Sequence, residues 1–202
     1  MLHGTIPSNP TKFTAECIPD QKGKIAIVTG GNAGIGYETV LHLAKKNAKV
    51  YMASRSAAKA EKAIAQIKQQ EPLANVEFLA LDLQDLSSVK KAAAEFSLKE
   101  TQLDLLINNA GIANVPFALS KDGIESQFAT NHLGHFYFTQ LLIPLLLKSD
   151  RVPRIVNVSS VAHTFTDKRG ILDLNDTNDA KSLSSLGRYA QSKVSITFNI
   201  KL

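Results

Sequence analysis

An open, doubly wound α/β domain built on a parallel sheet is the fold class this sequence predicts. Three observations predict it. Five short apolar runs lack polar alternation, as strands covered on both faces require. Stretches of helical period separate them, which gives right-handed βαβ crossovers. A glycine-rich turn directly follows the first run, and such sheets hold ligands beyond the carboxyl ends of their strands.

Residues before Lys24 carry Pro7, Pro10 and Pro19 and show no period, so 1–23 is expected to be an N-terminal arm and 24–202 the domain. Lys24 to Thr29 reads as the first strand. A helix follows the glycines, with Thr39, Val40, Leu43 and Ala44 on one face. Ala48 to Ser54 is the second strand, and the next helix turns Ala60, Ile64 and Ile67 inward. Val76 to Asp82 is the third strand, followed by a helix with Val89, Ala92, Ala93 and Phe96 on one side. Leu103 to Asn108 is the fourth strand, Asp122 to Leu147 a long helix, and Arg154 to Ser160 the fifth strand. The stretch around Tyr189 to Lys193 is again helical, and no repeat of solenoid or propeller period is present.

The chain has 202 residues, 44% of them hydrophobic, which suits one domain with a substantial core. Its formal net charge of +5 is scattered, in pairs such as Lys45-Lys46 and Lys90-Lys91, without a basic tract. That distribution argues against nucleic acid as a partner. Cys17 is the only cysteine, so an intramolecular disulfide is excluded and a reducing compartment is favoured. There is no continuous apolar leader, and Leu141 to Leu147 is too short to span a bilayer. The expectation is a cytoplasmic protein with no membrane span.

The turn after the first strand is TGGNAGIG, Thr29 to Gly36, so that Gly30, Gly34 and Gly36 fit T-G-x-x-x-G-x-G. In this reading Gly30 permits the tight turn, Gly34 lets backbone approach a pyrophosphate, and Gly36 allows close helix–strand packing. The following helix points its N-terminal amides at the phosphates. An empty glycine turn is the bland alternative; the strand before it and the amphipathic helix after it favour a nucleotide. At the end of the second strand an acid would be expected for a ribose 2′-hydroxyl. The chain instead reads Ala53-Ser54-Arg55-Ser56, and Arg55 suits a 2′-phosphate. NADP(H) is therefore predicted over NAD(H).

Tyr189 and Lys193 form Y-x-x-x-K, which places both on one face of a helix. A phenol titrates near about 10 in water, too high for a base at neutral pH, and a neighbouring ammonium favours its ionised form. Ser159, at the end of the fifth strand, can hydrogen-bond a substrate oxygen. His132, His135 and His163 lack a metal-ligand spacing, so no metal is predicted. His132 and His135 are read as core packing or as support behind the site. Ser159 with His163 lacks the G-x-S-x-G surroundings of a hydrolase nucleophile.

Together these residues resemble the short-chain dehydrogenase/reductase family, a Rossmann-fold family. The matches are TGGNAGIG, Asp82-Leu83, NNAG at Asn108 to Gly111, Asn131, Ser159-Ser160 and Tyr189-x-x-x-Lys193, in family order from Lys24 onward. The separation of Ser159 from Tyr189, with SSVAH and YAQSK, resembles most the subgroup of retinol dehydrogenases and protochlorophyllide reductases. The resemblance implies an NADP(H)-dependent oxidoreductase acting on a small carbonyl or alcohol. Tyr189 is then the acid or base, Lys193 assists it and bonds the nicotinamide ribose, Ser159 polarises the substrate, and Asn131 supports a water-linked relay. The cofactor would lie on Gly30, Asn32, Gly34, Ile35, Gly36, Arg55, Asp82, Leu83, Asn109, Ala110, Gly111, Tyr189 and Lys193, with Asn108 locking the central sheet.

The chain ends at Leu202, where the family pattern continues into a sixth and a seventh strand. A five-stranded sheet in the order 3-2-1-4-5 is therefore expected, with the fifth strand at an edge and Val194, Ile196 and Phe198 short of cover. An alternative expectation follows: a truncated, weak or inactive homologue that only binds nucleotide or a protein partner. Association into a homo-oligomer through the long helices is a further expectation.

Overall fold

The computed structural model describes residues 13–166 and 174–198. Five parallel strands form one sheet in the order β3-β2-β1-β4-β5: β1 Ile25–Thr29, β2 Lys49–Ser54, β3 Val76–Ala80, β4 Leu105–Asn108 and β5 Arg154–Asn157. Helices α1 Gly34–Lys45, α2 Ala57–Gln70 and α3 Leu86–Lys99 connect the first four strands. The β4–β5 connection runs through α4 Ser126–Phe128, a π-helical segment Ala129–Leu133 and α5 Gly134–Leu146. After β5 come a 3-10 turn Val161–Phe165, α6 Leu174–Asn178 and α7 Ser185–Phe198.

Alternate residues of β1 to β4 divide between two cores, which is what doubly wound means in side chains, while the edge strand β5 is exposed along its whole length. Ala26, Val28, Val50 and Met52 pack with Val40, Leu43, Ala60 and Ile67 of α1 and α2. Ile27, Tyr51, Leu79 and Leu106 pack on the other face with Val89, Phe96, Phe138 and Leu142 of α3 and α5. The inward faces expected for α1 to α3 are therefore buried, Thr39 and Ile64 only half. The strands are in register, with Val28 opposite Met52 on one side and Ile107 on the other.

Boundaries move where side chains or turns intervene. The helix expected from Asp122 starts at Ser126, because Gly123 takes a φ of 76° and Leu119 pairs with Glu125. Glu125 then caps the helix, its carboxylate accepting from the Phe128 amide at 2.9 Å. The fifth strand stops at Asn157, not Ser160, since its neighbour β4 ends at Asn108 and turns away, the Asn109 amide bonding Ile107 O. The third strand likewise ends at Ala80 instead of Asp82.

Val194 and Ile196, expected to be short of cover, are buried, because the Val161–Phe165 turn packs against α7. The side chain of Phe198 lies outside the described residues. Exposed apolar surface sits instead on the edge strand β5, at Ile155 and Val156. Of the N-terminal arm, residues 1–12 lie outside the description, while the end of the arm is docked: the buried Gln21 donates from its backbone N–H to Lys46 O at 2.6 Å. Among the described residues no helix is long and apolar enough to cross a membrane.

Candidate functional site

The strand order places β1 beside β4, with crossovers leaving to opposite sides, so a crevice opens beyond their carboxyl ends. A cleft of about 440 Å³ lies there. The glycine turn supplies Gly30, Asn32, Ile35 and Gly36 to its wall, and the end of β2 supplies Arg55. Asp82 and Leu83 enter after β3, and Asn109, Ala110 and Gly111 after β4. Gly34 alone among the predicted loop residues stands off the wall. Its φ of 53° explains why glycine is used there, and nothing lies within 4 Å of where a Cβ would be. Gly36 is held by close approach: an added Cβ would collide with Gly30 O and meet Asn109 Nδ2 at 2.6 Å.

Three features of the cleft fit a dinucleotide. Helix α1 starts behind Ala33, which has no capping side chain, and its first turn carries no acid. Helices α2 and α3, by contrast, are capped by the Ser56 and Asp85 side chains. The uncapped amides of α1 suit an anion. Two buried hydroxyls of the wall, Ser54 Oγ and Thr130 Oγ1, find no hydrogen-bond partner among the described residues, and a polar ligand would satisfy them. Arg55 is exposed at the rim with Lys59 beside it on the first turn of α2. Lys59 was not singled out from sequence. Its position four residues past Arg55, at the start of a helix, is the signal that could have found it.

Beyond Gly111 the cleft meets the predicted reaction centre. A Cβ at Gly111 would lie 3.6 Å from Lys193 Nζ and 3.3 Å from Asn131 Oδ1. Lys193 is buried; its ammonium donates to Val158 O at 2.9 Å and lies 5.8 Å from the centre of the Tyr189 ring. Burial lowers the Lys193 pKa below its usual value, because the charged form loses water. Tyr189 is half-buried. Helix α7 presents both side chains because they are one turn apart.

Asn131 sits in the π-helical segment, a form frequent at functional sites. Its Oδ1 accepts from the Ile112 amide at 2.9 Å, and its Nδ2 donates to Ile112 O and to Ser192 Oγ, each at 2.9 Å. The side chain thus braces the end of the loop after β4 against α7. The Ser159 hydroxyl, expected toward a substrate oxygen, donates here to the backbone carbonyl of Lys193 at 3.2 Å. Asn108 spans the sheet as expected, donating to Asn157 Oδ1 at 2.8 Å and Thr139 Oγ1 at 3.0 Å. Ser192, the link from Asn131 to α7, carried no signal in the sequence beyond its place inside the Y-x-x-x-K motif.

Residues 24–170 match the family described as short chain dehydrogenase. An uncharacterized oxidoreductase of Schizosaccharomyces pombe is 45% identical over 96% of this chain and 59% of its own length. Retinol dehydrogenase 12 of Mus musculus is 39% identical over 85% of this chain and 53% of the mouse protein. Among solved structures, an uncharacterized protein from Mycobacterium paratuberculosis superposes with a TM-score of 0.78 at 41% identity, covering 91% of this chain and 62% of that one. The RhlG/NADP active-site complex of Pseudomonas aeruginosa, at 24% identity and a TM-score of 0.69 over 89% of this chain and 65% of that one, shares the fold. The chain thus spans about 59% of the length of the first of these curated relatives.

Proposed function

The chain belongs to the short-chain dehydrogenase family, and on that premise we propose that it is an NADP(H)-dependent oxidoreductase for a small carbonyl or alcohol. When bound, the nicotinamide would exchange a hydride with the substrate carbon. The chain's own residues would hold the two reactants and manage the proton. One observation carries this reading: the buried Lys193 ammonium stands both at the Gly111 end of the cleft and beside the Tyr189 ring.

In this proposal Tyr189 gives its proton to the substrate oxygen during reduction, or takes it during oxidation. The Lys193 charge offsets the negative charge left on the phenol oxygen. Burial inclines Lys193 itself to release a proton, which suits a water-linked relay to Lys193 that Asn131, held in place by Ile112 and Ser192, would support. Ser159 would exchange its bond to the Lys193 carbonyl for one to the substrate oxygen. Gly30, Asn32, Ile35 and Gly36 would receive the phosphates with the α1 amides, and Asp82 and Leu83 the adenine. Asn109, Ala110 and Gly111 would run along the cofactor. Arg55, with Lys59, would take a 2′-phosphate. The exposed pair of cations, with no carboxylate at the end of β2, supports NADP(H).

The test combines binding and turnover. Saturating NADPH is expected to raise the melting temperature. NADPH consumption with a panel of aldehydes and ketones is expected to fall about 10²–10⁴-fold in Tyr189→Phe, the range of general acid–base catalysis. An unshifted melting temperature, or a Tyr189→Phe protein with wild-type turnover, would overturn the reading.

A further inference from the structure

Thr29, the last residue of β1, is fully buried, and its hydroxyl has four neighbours. The backbone amides of Asn109 and Ala110 each reach Oγ1 at 2.9 Å. His135 Nε2 is 2.8 Å away and Ile107 O is 3.4 Å away. A hydroxyl oxygen has two lone pairs and one proton. The two amides, which can only donate, occupy both lone pairs. The hydroxyl proton therefore goes to an acceptor, and the shorter contact is the imidazole nitrogen.

The other side of the ring gives the same answer independently. His135 Nδ1 lies 3.1 Å from Asn131 O, and a carbonyl can only accept. Nδ1 therefore carries the ring proton, which leaves Nε2 as the acceptor that Thr29 requires. One protonation state satisfies all six atoms: neutral imidazole with its hydrogen on Nδ1. A hydrogen on Nε2 would face an oxygen whose lone pairs are already taken.

From this geometry we infer that His135 is a positioning residue: through the Thr29 hydroxyl it holds the Asn109 and Ala110 amides in place, and through Asn131 O it ties them to the π-helical segment. Thr29 O adds a further tie, accepting from Asn109 Nδ2 at 2.9 Å. One buried ring thus links the floor of the cleft, at the β1 and β4 ends, to the helix that carries Asn131. The titratable groups that act on the ring are Lys193, from α7, and His132, in the π-helical segment; a charge on either opposes its protonation. Burial does the same more strongly.

The inference rests on the proposed nucleotide site for its consequence, though not for its geometry, and two measurements separate these. Long-range proton–nitrogen NMR on nitrogen-15 histidine-labelled wild type at about pH 7 reads the tautomer directly, with His135→Gln identifying the signal. Neutral Nδ1–H is expected; an Nε2–H tautomer or an imidazolium overturns the inference. Titration with NADPH then compares variants. His135→Leu removes the acceptor and is expected to weaken binding about tenfold, the scale of one lost hydrogen bond in a buried site. His135→Gln, which can present an oxygen to Thr29, is expected to recover most of that loss. Equal affinities for wild type and His135→Leu would overturn the inference. A wild type that shows Nδ1–H but no NADPH affinity would sink the functional reading and leave the hub standing.

Discussion

Arg188 and Glu125 form a buried ion pair, Nε to Oε1 at 3.4 Å, immediately before Tyr189 in the chain. The guanidinium also donates from Nη1 to Leu183 O at 2.7 Å and lies 5.3 Å from the centre of the Phe117 ring. Glu125 caps the helix that leads to Asn131. The pair therefore pins the start of the Tyr189 helix to the start of the Asn131 helix.

Removing one partner leaves the other charge buried without compensation. Glu125→Leu is expected to lower unfolding stability by about 3–5 kcal/mol, as broken buried ion pairs do. Urea unfolding measures it; a loss below about 1 kcal/mol would show that water reaches Arg188 and the pair does not lock the two helices.

Coenzyme choice is expected to follow the charge at the end of β2. Arg55→Asp should shift the NADPH/NADH affinity ratio toward NADH by about 10- to 100-fold, the value of a hydrogen bond to a charged group. Lys59→Ala should move the ratio in the same direction and by less, since an exposed lysine contributes a screened point charge. Equal ratios before and after Arg55→Asp would remove Arg55 from the site.

The glycine turn is expected to discriminate between its members. In Gly36→Ala the new methyl meets backbone at Gly30 O, and rigid backbone cannot step aside, so roughly 1–3 kcal/mol of stability should be lost together with nucleotide-induced thermal protection. Gly34→Ala meets only open space and should lose about 1 kcal/mol from its left-handed backbone. Scanning calorimetry with and without NADPH separates the two, and similar behaviour of both variants would contradict the geometry.

Acid is expected to destabilise the fold through His135. Burial holds its pKa at about 4 in the folded chain. The same ring protonates near about 6.5 when unfolded. Between these values the unfolded state binds more protons, so the contribution is intact above about pH 6.5 and is lost as pH falls toward 4. The full loss is on the order of 3 kcal/mol. His132, also lowered to about 4 by burial, acts in the same direction. Urea midpoints at about pH 7 and pH 5 read the slope. His135→Gln should reduce it, leaving the His132 part, and an unchanged slope would assign the acid sensitivity elsewhere.

The sequence by itself determined the two-faced core and the place of the cleft, and its family resemblance implied the strand order that the structure shows. Apolar runs without alternation must be buried on both sides, and a glycine turn between strand and helix can only lie at the sheet's carboxyl edge. Local position pointed to Arg55 after the second strand, to Ser159 after the fifth and to the one-turn Tyr189–Lys193 pair, whereas Asp82, the Asn109 to Gly111 stretch and Asn131 stood out only through the family resemblance. Thr29 with His135, and Glu125 with Arg188, were not. Each pair is separated by more than sixty residues and joined only when helices dock on the sheet. Nor could spacing tell that the Val161–Phe165 turn would cover Val194 and Ile196. Periodicity encodes which face a residue takes, whereas the partner of a buried polar group is chosen by the packing of distant segments. Only the tertiary structure decided those contacts, because a desolvated donor or charge must be matched by whatever the fold brings within reach.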